Sequence, residues 1–186
     1  SNGAMDEAVP LILINTFLAA AFGLLTSLII SFILFKKPDP FYVVLGPLAG
    51  LVSITAACNS VNSLLAIFIG IIGTIIAIIV HEFLNKKEID DVVGAVPVHL
   101  AAGVWGTLAV GIFSNLEILG TGLTRMEQIK AQLIGIGAIG FFSFVSSFIF
   151  FKIVNYFYPL RVSPIHEELG LNIAEHGAVS VEHDLI

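Results

Sequence analysis

Formal charge is scarce in this chain, and its absence is organised. Only 12% of the residues are Asp, Glu, Lys or Arg, against 57% hydrophobic. Mean hydropathy is +1.00. Those values exclude an ordinary soluble domain. Four stretches carry no formal charge at all: Ala8–Phe35, Phe41–Val80, Val92–Leu116 and Ala131–Phe151. A single cysteine, Cys58, excludes an internal disulfide and says little about redox compartment. Nothing resembles a basic stripe, which excludes nucleic acid as a partner. The tail histidines His166, His176 and His183 are ten and seven residues apart, not a metal-ligand spacing, and His81-Glu82 lacks the second histidine of a zinc-protease helix. Neither a metal nor another cofactor is expected. No nucleophile–base pair stands out, so an enzyme is not expected either.

What is present is apolar length. A bilayer core of about 30 Å is crossed by roughly 20 apolar residues in one helix. The 40-residue run Phe41–Val80 is therefore two spans, divided at the polar cluster Asn59-Ser60-Val61-Asn62-Ser63. The chain thus reads as an all-α integral membrane protein with five transmembrane helices over about 8–35, 41–58, 63–84, 92–114 and 131–157. Short connections make residues 1–160 one helical bundle, followed by a tail over 161–186. Lys36, Lys37, Lys86, Lys87, Lys152 and Arg161 fall on one side if the helices alternate, and only Arg125 and Lys130 on the other. The majority side is expected to be cytoplasmic. The tail is then cytoplasmic and the N-terminus outside. No basic n-region precedes the first helix, so it is not a signal peptide, and a chain that starts outside without one suggests sequence upstream. The tail sets one arginine against Glu167, Glu168, Glu175, Glu182 and Asp184. It is not drawn to anionic lipid and is expected on the protein's own cytoplasmic loops or on a partner.

His99 is the most informative residue. It lies within Val92–Leu116, 25 residues without formal charge. Counted from Val92 at about 1.5 Å per residue, it sits roughly 10 Å into the hydrocarbon. An imidazole at that depth faces protein, water or a substrate path. Ala102, Gly103 and Gly106 follow it at i+3, i+4 and i+7, which places a buried histidine beside a groove of small residues. Two readings fit that face equally: tight helix packing with His99 bonded across an interface, or a narrow lumen in which the ring meets what passes. Pro97 is expected to free the carbonyl of Val93. Asp90-Asp91 read first as a carboxylate cap on the helix, and second as a cation attractor or tail anchor. Gly135-Ile136-Gly137-Ala138-Ile139-Gly140 spells GxGxxG inside a span, without the strand a dinucleotide site needs, and reads as close helix packing. Gly46-Pro47-Leu48-Ala49-Gly50 reads the same way.

The segment Ile89-Asp90-Asp91-Val92-Val93-Gly94-Ala95-Val96-Pro97-Val98-His99, followed by Gly103-Val104-Trp105-Gly106-Thr107-Leu108-Ala109-Val110-Gly111, closely resembles the ammonium transporter (Amt/Mep/Rh) family. So do Leu48–Cys58, Asn15-Thr16, Leu160-Arg161-Val162 and Glu168–Gly177. The resemblance runs through nearly the whole chain in order. It implies the second part of an eleven-helix fold of two inverted five-helix repeats plus a last long helix, with this chain resembling helices seven to eleven. It further implies a homotrimer in a cell membrane, one apolar pore per subunit, and passage of ammonium or ammonia, with methylammonium as analogue. His99 matches the second of the family's paired pore histidines, whose partner is not in this chain. Thr55 matches a pore-side threonine. Ser1 matches the serine of an outer ammonium site, although Ser1–Ala4 reads equally as a non-native lead before Met5.

Asp90, Asp91, Arg161, Gly170, His176 and Gly177 match structural or regulatory positions. The tail match implies docking on loops of a neighbouring subunit and regulation by a PII-type signal protein. Leu100, Pro47 and Asn172 depart from the family's usual Gly, Ala and Asp; Leu100 adds bulk beside the pore residue. The competing expectations are an ammonium sensor of the same fold and an inactive truncated remnant. The sensor is weakened by the lack of a kinase or cyclase segment before Ile186.

Overall fold

The computed structural model describes residues 7–174, so Ser1, His176 and Gly177 lie outside the described residues. Among those described, every regular element is helical. The order is α1 (Val9–Phe35), α2 (Pro40–Ile54), α3 (Ser63–Lys86), a π-helical turn (Val96–Ala101) running into α4 (Ala102–Phe113), α5 (Leu116–Leu119), α6 (Arg125–Phe157), α7 (Pro164–Leu169) and α8 (Leu171–Ala174). Among the described residues four stretches are long and apolar enough to cross a membrane: Val9–Phe35, Ser63–Lys86, Val96–Phe113 and Arg125–Phe157. The fifth expected span is the shorter apolar helix Pro40–Ile54.

Local chemistry sets the helix ends. Pro10 sits in the first turn of α1, where its missing N–H costs nothing. Lys36, at φ 62°, closes α1 by donating its N–H to the Phe32 carbonyl. The Asp39 carboxylate caps α2 by accepting from the N–H groups of Phe41 and Tyr42. The Asn62 side chain caps α3 by accepting from the Leu65 N–H. Asp91 accepts from Ala95 and Val96 at 2.9 and 2.8 Å. Its neighbour Gly94 takes φ 69°, a conformation in which glycine carries no Cβ penalty.

The chain divides into two compact units, Ser1–Ala138 and Ile139–Ile186. In the first, small and polar side chains line the closest helix approaches, beside a core that includes Tyr42, Leu45, Ile54 and Ile69. The buried positions of α1 are Asn15, Ala19, Gly23, Ser27 and Ser31, one every fourth residue, while Phe17 is 74% exposed. That inversion suits a lipid solvent, in which close backbone approach holds helices together better than buried leucine. A Cβ added to Gly23 would lie 2.5 Å from the Gly46 carbonyl oxygen, and one on Gly70 would lie 2.6 Å from that of Ala19. Gly46, Ala49 and Gly50 are buried in α2, as the Gly46–Gly50 segment predicts. The buried hydroxyls are satisfied: Thr74 donates to the Gly46 carbonyl (3.0 Å) and Ser53 to that of Ala49 (2.7 Å).

The Gly135–Gly140 segment behaves differently from expectation. A Cβ built on Gly135, Gly137 or Gly140 meets nothing within 4 Å among the described residues. The close approaches among the described residues are made by α1 to α4, and by α6 only near its start, where a Cβ on Gly111 would lie 2.9 Å from the Ile129 backbone.

In the second unit the aromatic run from Phe141 to Tyr158 is exposed. Arg161 holds Glu167 in a two-point ion pair at 2.7 and 3.0 Å. Ser163 caps α7 through the His166 N–H, and Gly170, at φ 80°, ends it.

Two predictions follow from this packing. Gly106→Ala brings a Cβ to 2.5 Å from the Ser53 carbonyl oxygen, whereas Gly103→Ala meets only a Val52 methyl at 3.7 Å. Thermal unfolding in detergent should show a loss of about 1–3 kcal/mol for the former, the usual cost of overpacking. The latter should be neutral or stabilised by up to about 1 kcal/mol of helix propensity. In the tail, the hydrogen bond from Arg161 holds the Glu167 carboxyl below its ordinary value. The pair is therefore intact above the usual carboxylate range and lost as pH falls through the lowered midpoint. An NMR titration should place that midpoint low, and Arg161→Gln should move it back up.

Candidate functional site

The expected helix over 92–114 starts late. Val92 and Val93 form a turn, and regular helix begins only after Gly94. Pro97 consequently stands in the first turn and not mid-helix, so the carbonyl it was expected to release, that of Val93, precedes the helix. The first turn is π-helical: the Ala102 N–H donates to the Pro97 carbonyl, five residues back. Such a turn holds one residue more than an α turn and is frequent at functional sites. Here it buries Pro97, Val98 and Ala102 while leaving His99 and Leu100 exposed.

His99 is thus not on the small-residue face. Ala102 and Gly106 pack on α2, where the Ser53 hydroxyl lies 3.4 Å from the Ala102 carbonyl. Gly103 is half-exposed and a Cβ there would meet only a Val52 methyl at 3.7 Å, whereas the contact is closed at Ala102 and Gly106. The imidazole points away from it, with no hydrogen-bond partner among the described residues. The sequence carried no sign of this, because the extra residue of a π turn leaves the apolar pattern intact.

Thr55 stands just past α2, as the helix gives way to a turn over 55–60. Its side chain is exposed and donates its one proton to the Leu51 carbonyl at 2.6 Å. What it offers outward is acceptor lone pairs, which suit a partner rich in N–H donors. No hydrogen bond joins Thr55 to His99.

The turn beside Thr55 is held from two sides. Asn15 of α1 reaches it through the carbonyls of Cys58 and Val61, at 2.8 and 2.9 Å. At the far end of α4 the Ser60 and Ser114 hydroxyls meet at 2.8 Å. The Asn115 N–H donates to the Ser60 carbonyl at 2.7 Å. Arg125 braces the same corner by donating to the carbonyls of Ser114 (2.7 Å) and Gly111 (3.2 Å). Reading the sequence assigned Arg125 only a topological role, since its acceptors are backbone atoms. An open cleft of about 770 Å³ lies beside it, lined among others by Leu11, Val61, Leu65, Phe113 and Glu117. Neither Thr55 nor His99 lines that cleft.

At the opposite ends of α2 and α3 the sequence missed a second cluster. Tyr42 donates to the Glu82 carboxylate at 2.5 Å. The His81 ring stacks on Phe41 at 4.2 Å, and its Nε2 lies 3.0 Å from the Asn85 amide nitrogen. Its Nδ1 is buried without a partner among the described residues. Phe41 also fills the space beside Gly94, where an added Cβ would lie 3.0 Å from its ring. The signal available was topological: Phe41-Tyr42 open α2 and His81-Glu82 lie near the end of α3, ends that two consecutive antiparallel helices bring to the same side.

Asp91 is a cap, the first of the two roles expected of the acidic pair. Asp90 is exposed and makes no hydrogen bond among the described residues. Arg161 and Gly170 are placed in the tail by the ion pair and the helix end given above.

Comparison with known proteins follows the same residues. The chain is 42% identical over 185 residues to the sll0537 protein of Synechocystis sp., covering 100% of this chain and 34% of that protein. It is 39% identical over 190 residues to ammonium transporter Amt2 of Archaeoglobus fulgidus, covering 95% of this chain and 40% of that one. Among solved structures it superimposes on a sensor Amt protein with TM-score 0.83 at 37% identity, over 92% of this chain and 43% of that chain. The chain therefore spans roughly two fifths of the length of the relatives it matches. The model of the Ammonium Transporter Family matches residues 1–181, and the chain belongs to that family.

Proposed function

We propose that this chain supplies the second five-helix part of an ammonium transporter, and that His99 and Thr55 line the route of the permeant. The observation that supports this most is the outward turn of His99. Its ring stands on a π-helical turn whose other face is closed by α2, so the imidazole is left for a neighbouring element or a passing molecule. A polar ring on an apolar span is costly unless something uses it.

The chemistry suits ammonia better than the ion. A full charge in a dry apolar channel costs many kcal/mol, and the neutral molecule far less. An imidazole offers one donor and one acceptor when neutral and exchanges protons near neutral pH. Paired with a second histidine from the remaining helices, His99 would hold ammonia in line and pass the proton separately. Thr55, with its own proton committed to Leu51, accepts from N–H at the other end of α2. Ser1 belongs to the outer recruitment site in this reading.

In this reading the Lys36-Lys37 and Lys86-Lys87 ends and the tail are on the cytoplasmic side of the cell membrane, which the excess of lysine at those ends supports. Residues 1–160 then form the membrane bundle, in contact with lipid, and 161–186 the tail. There Arg161, Gly170, His176 and Gly177 serve docking on a neighbouring subunit of a homotrimer and a PII-type signal protein. Asp90 is free to meet that tail while Asp91 caps the helix. The chain acts as a conduit and not as an enzyme.

The second reading is a sensor that binds ammonium without passing it, favoured by the superposition on a sensor Amt protein. Labelled methylammonium uptake in transport-deficient cells separates the two. The chain is expressed alone and with the N-terminal part of the Archaeoglobus relative, each with and without His99→Ala. Uptake should need the added part and fall about tenfold or more with His99→Ala, a factor set by about 1.4 kcal/mol. Uptake by the chain alone would overturn the partial-bundle reading. Absence of uptake in every arm, with membrane insertion verified, would favour the sensor or an inactive remnant.

A further inference from the structure

Asn15 carries more hydrogen bonding than a helix in lipid needs for its own stability. It is fully buried. Both amide protons are used, on the carbonyls of Cys58 and Val61, and its oxygen accepts from the Ser63 hydroxyl at 3.0 Å. Three of the four bonds that an asparagine amide can make are thus formed inside the bundle. Their targets are what matters. α2 stops at Ile54, and the carbonyls of the following turn lack the regular donors of a continuing helix. In a membrane interior an unpaired carbonyl is costly, and water is not there to meet it. Asn15 provides the donors that the broken helix gave up, from a different helix 43 and 46 residues away in sequence.

The position of Thr55 depends on that supply. Cys58 lies three residues beyond it, and the Cys58 thiol lies 3.5 Å from the Thr55 carbonyl. On its other side the turn is fixed by Ser60 to Ser114 and Asn115. The exposed Thr55 stands between the end of α2, where its N–H and hydroxyl donate to the carbonyls of Val52 and Leu51, and these anchors at residues 58–61. Without Asn15, the Cys58 and Val61 carbonyls must find other donors, and the turn must shift to do so.

We infer that Asn15 is a positioning residue for Thr55: its side-chain amide sets the turn that presents the threonine hydroxyl to the permeant. This rests on the transport reading above. Asn15 acts through the turn and does not itself touch what passes.

The test is a double-mutant cycle on methylammonium uptake, with the chain expressed beside the N-terminal part of its Archaeoglobus relative. Asn15→Ala, Thr55→Ala and the double variant are compared, with Thr16→Val as control, because the Thr16 hydroxyl bonds only within α1, to Ile12. The single cysteine gives a second readout, since alkylation of Cys58 by N-ethylmaleimide in membranes reports opening of the turn. Asn15→Ala should raise KM about tenfold, equivalent to about 1.4 kcal/mol, and speed Cys58 alkylation severalfold. In the Thr55→Ala background it should add nothing to KM, the non-additivity of residues that act as one unit. Thr16→Val should change neither readout. Unchanged KM and alkylation with normal uptake would overturn the positioning role and leave the transport reading intact. So would additive effects on KM, or a loss only of protein inserted. No uptake from the unsubstituted pair would sink the transport reading and the positioning role with it, with alkylation then showing whether Asn15 holds the turn structurally.

Discussion

The rest of the structure depends on one constraint: inside a lipid solvent, backbone polar groups must be satisfied by the protein, and helices cohere only by coming close. Exchanging lipid for leucine gains little there, since both are hydrocarbon. The first unit follows this most clearly in its first helix. Its α1 buries Asn15, Ala19, Gly23, Ser27 and Ser31 and exposes Ile14, Phe17, Ile29 and Ile33. Close approach lets the hydroxyls of Thr74 and Ser53 meet carbonyls at ordinary hydrogen-bond distances. Where a helix must stop inside the bundle, side chains from elsewhere take over its ladder. Asn15 does this for the turn after α2, the Asn115 N–H meets the Ser60 carbonyl beside it, and Arg125 braces the corner.

Much of this was legible in the sequence for a plain reason. Length without charge is an unambiguous signal, and the spans over Val9–Phe35, Ser63–Lys86 and Arg125–Phe157 are close to those expected. Caps were legible too, since Asp91 before an apolar run has one dominant use. The small residues of Gly46–Gly50 packed as read. The same pattern in Gly135–Gly140 met no described neighbour, because a small-residue motif states that an approach is possible and not with whom.

The candidate site was legible in composition and illegible in direction. His99 was found by its cost in an apolar run, but α-helical spacing counted from His99 put it beside Ala102, Gly103 and Gly106 as a buried residue. Gly94 delayed the helix and the π turn changed the register, so the ring stands on another face. Neither event alters hydrophobic periodicity. The Asn15 bonds were equally hidden, since backbone carbonyls leave no mark on the side-chain sequence. Family resemblance supplied the identity of the chain without supplying those mechanics.

The π turn has a consequence for how this helix tolerates change. It is one residue of slack wound into the chain between Val96 and Ala101. Deleting a residue from an ordinary helix rotates everything beyond it by about 100°. Deleting one from this turn would be absorbed by tightening it into α geometry, leaving the contact of Ala102 and Gly106 with α2 in place. Only the side chains within the turn would be re-aimed. The direction of His99 is therefore set by a residue count and by the burial of Pro97 and Val98 within the same turn, while the contact of Ala102 and Gly106 with α2 lies beyond it.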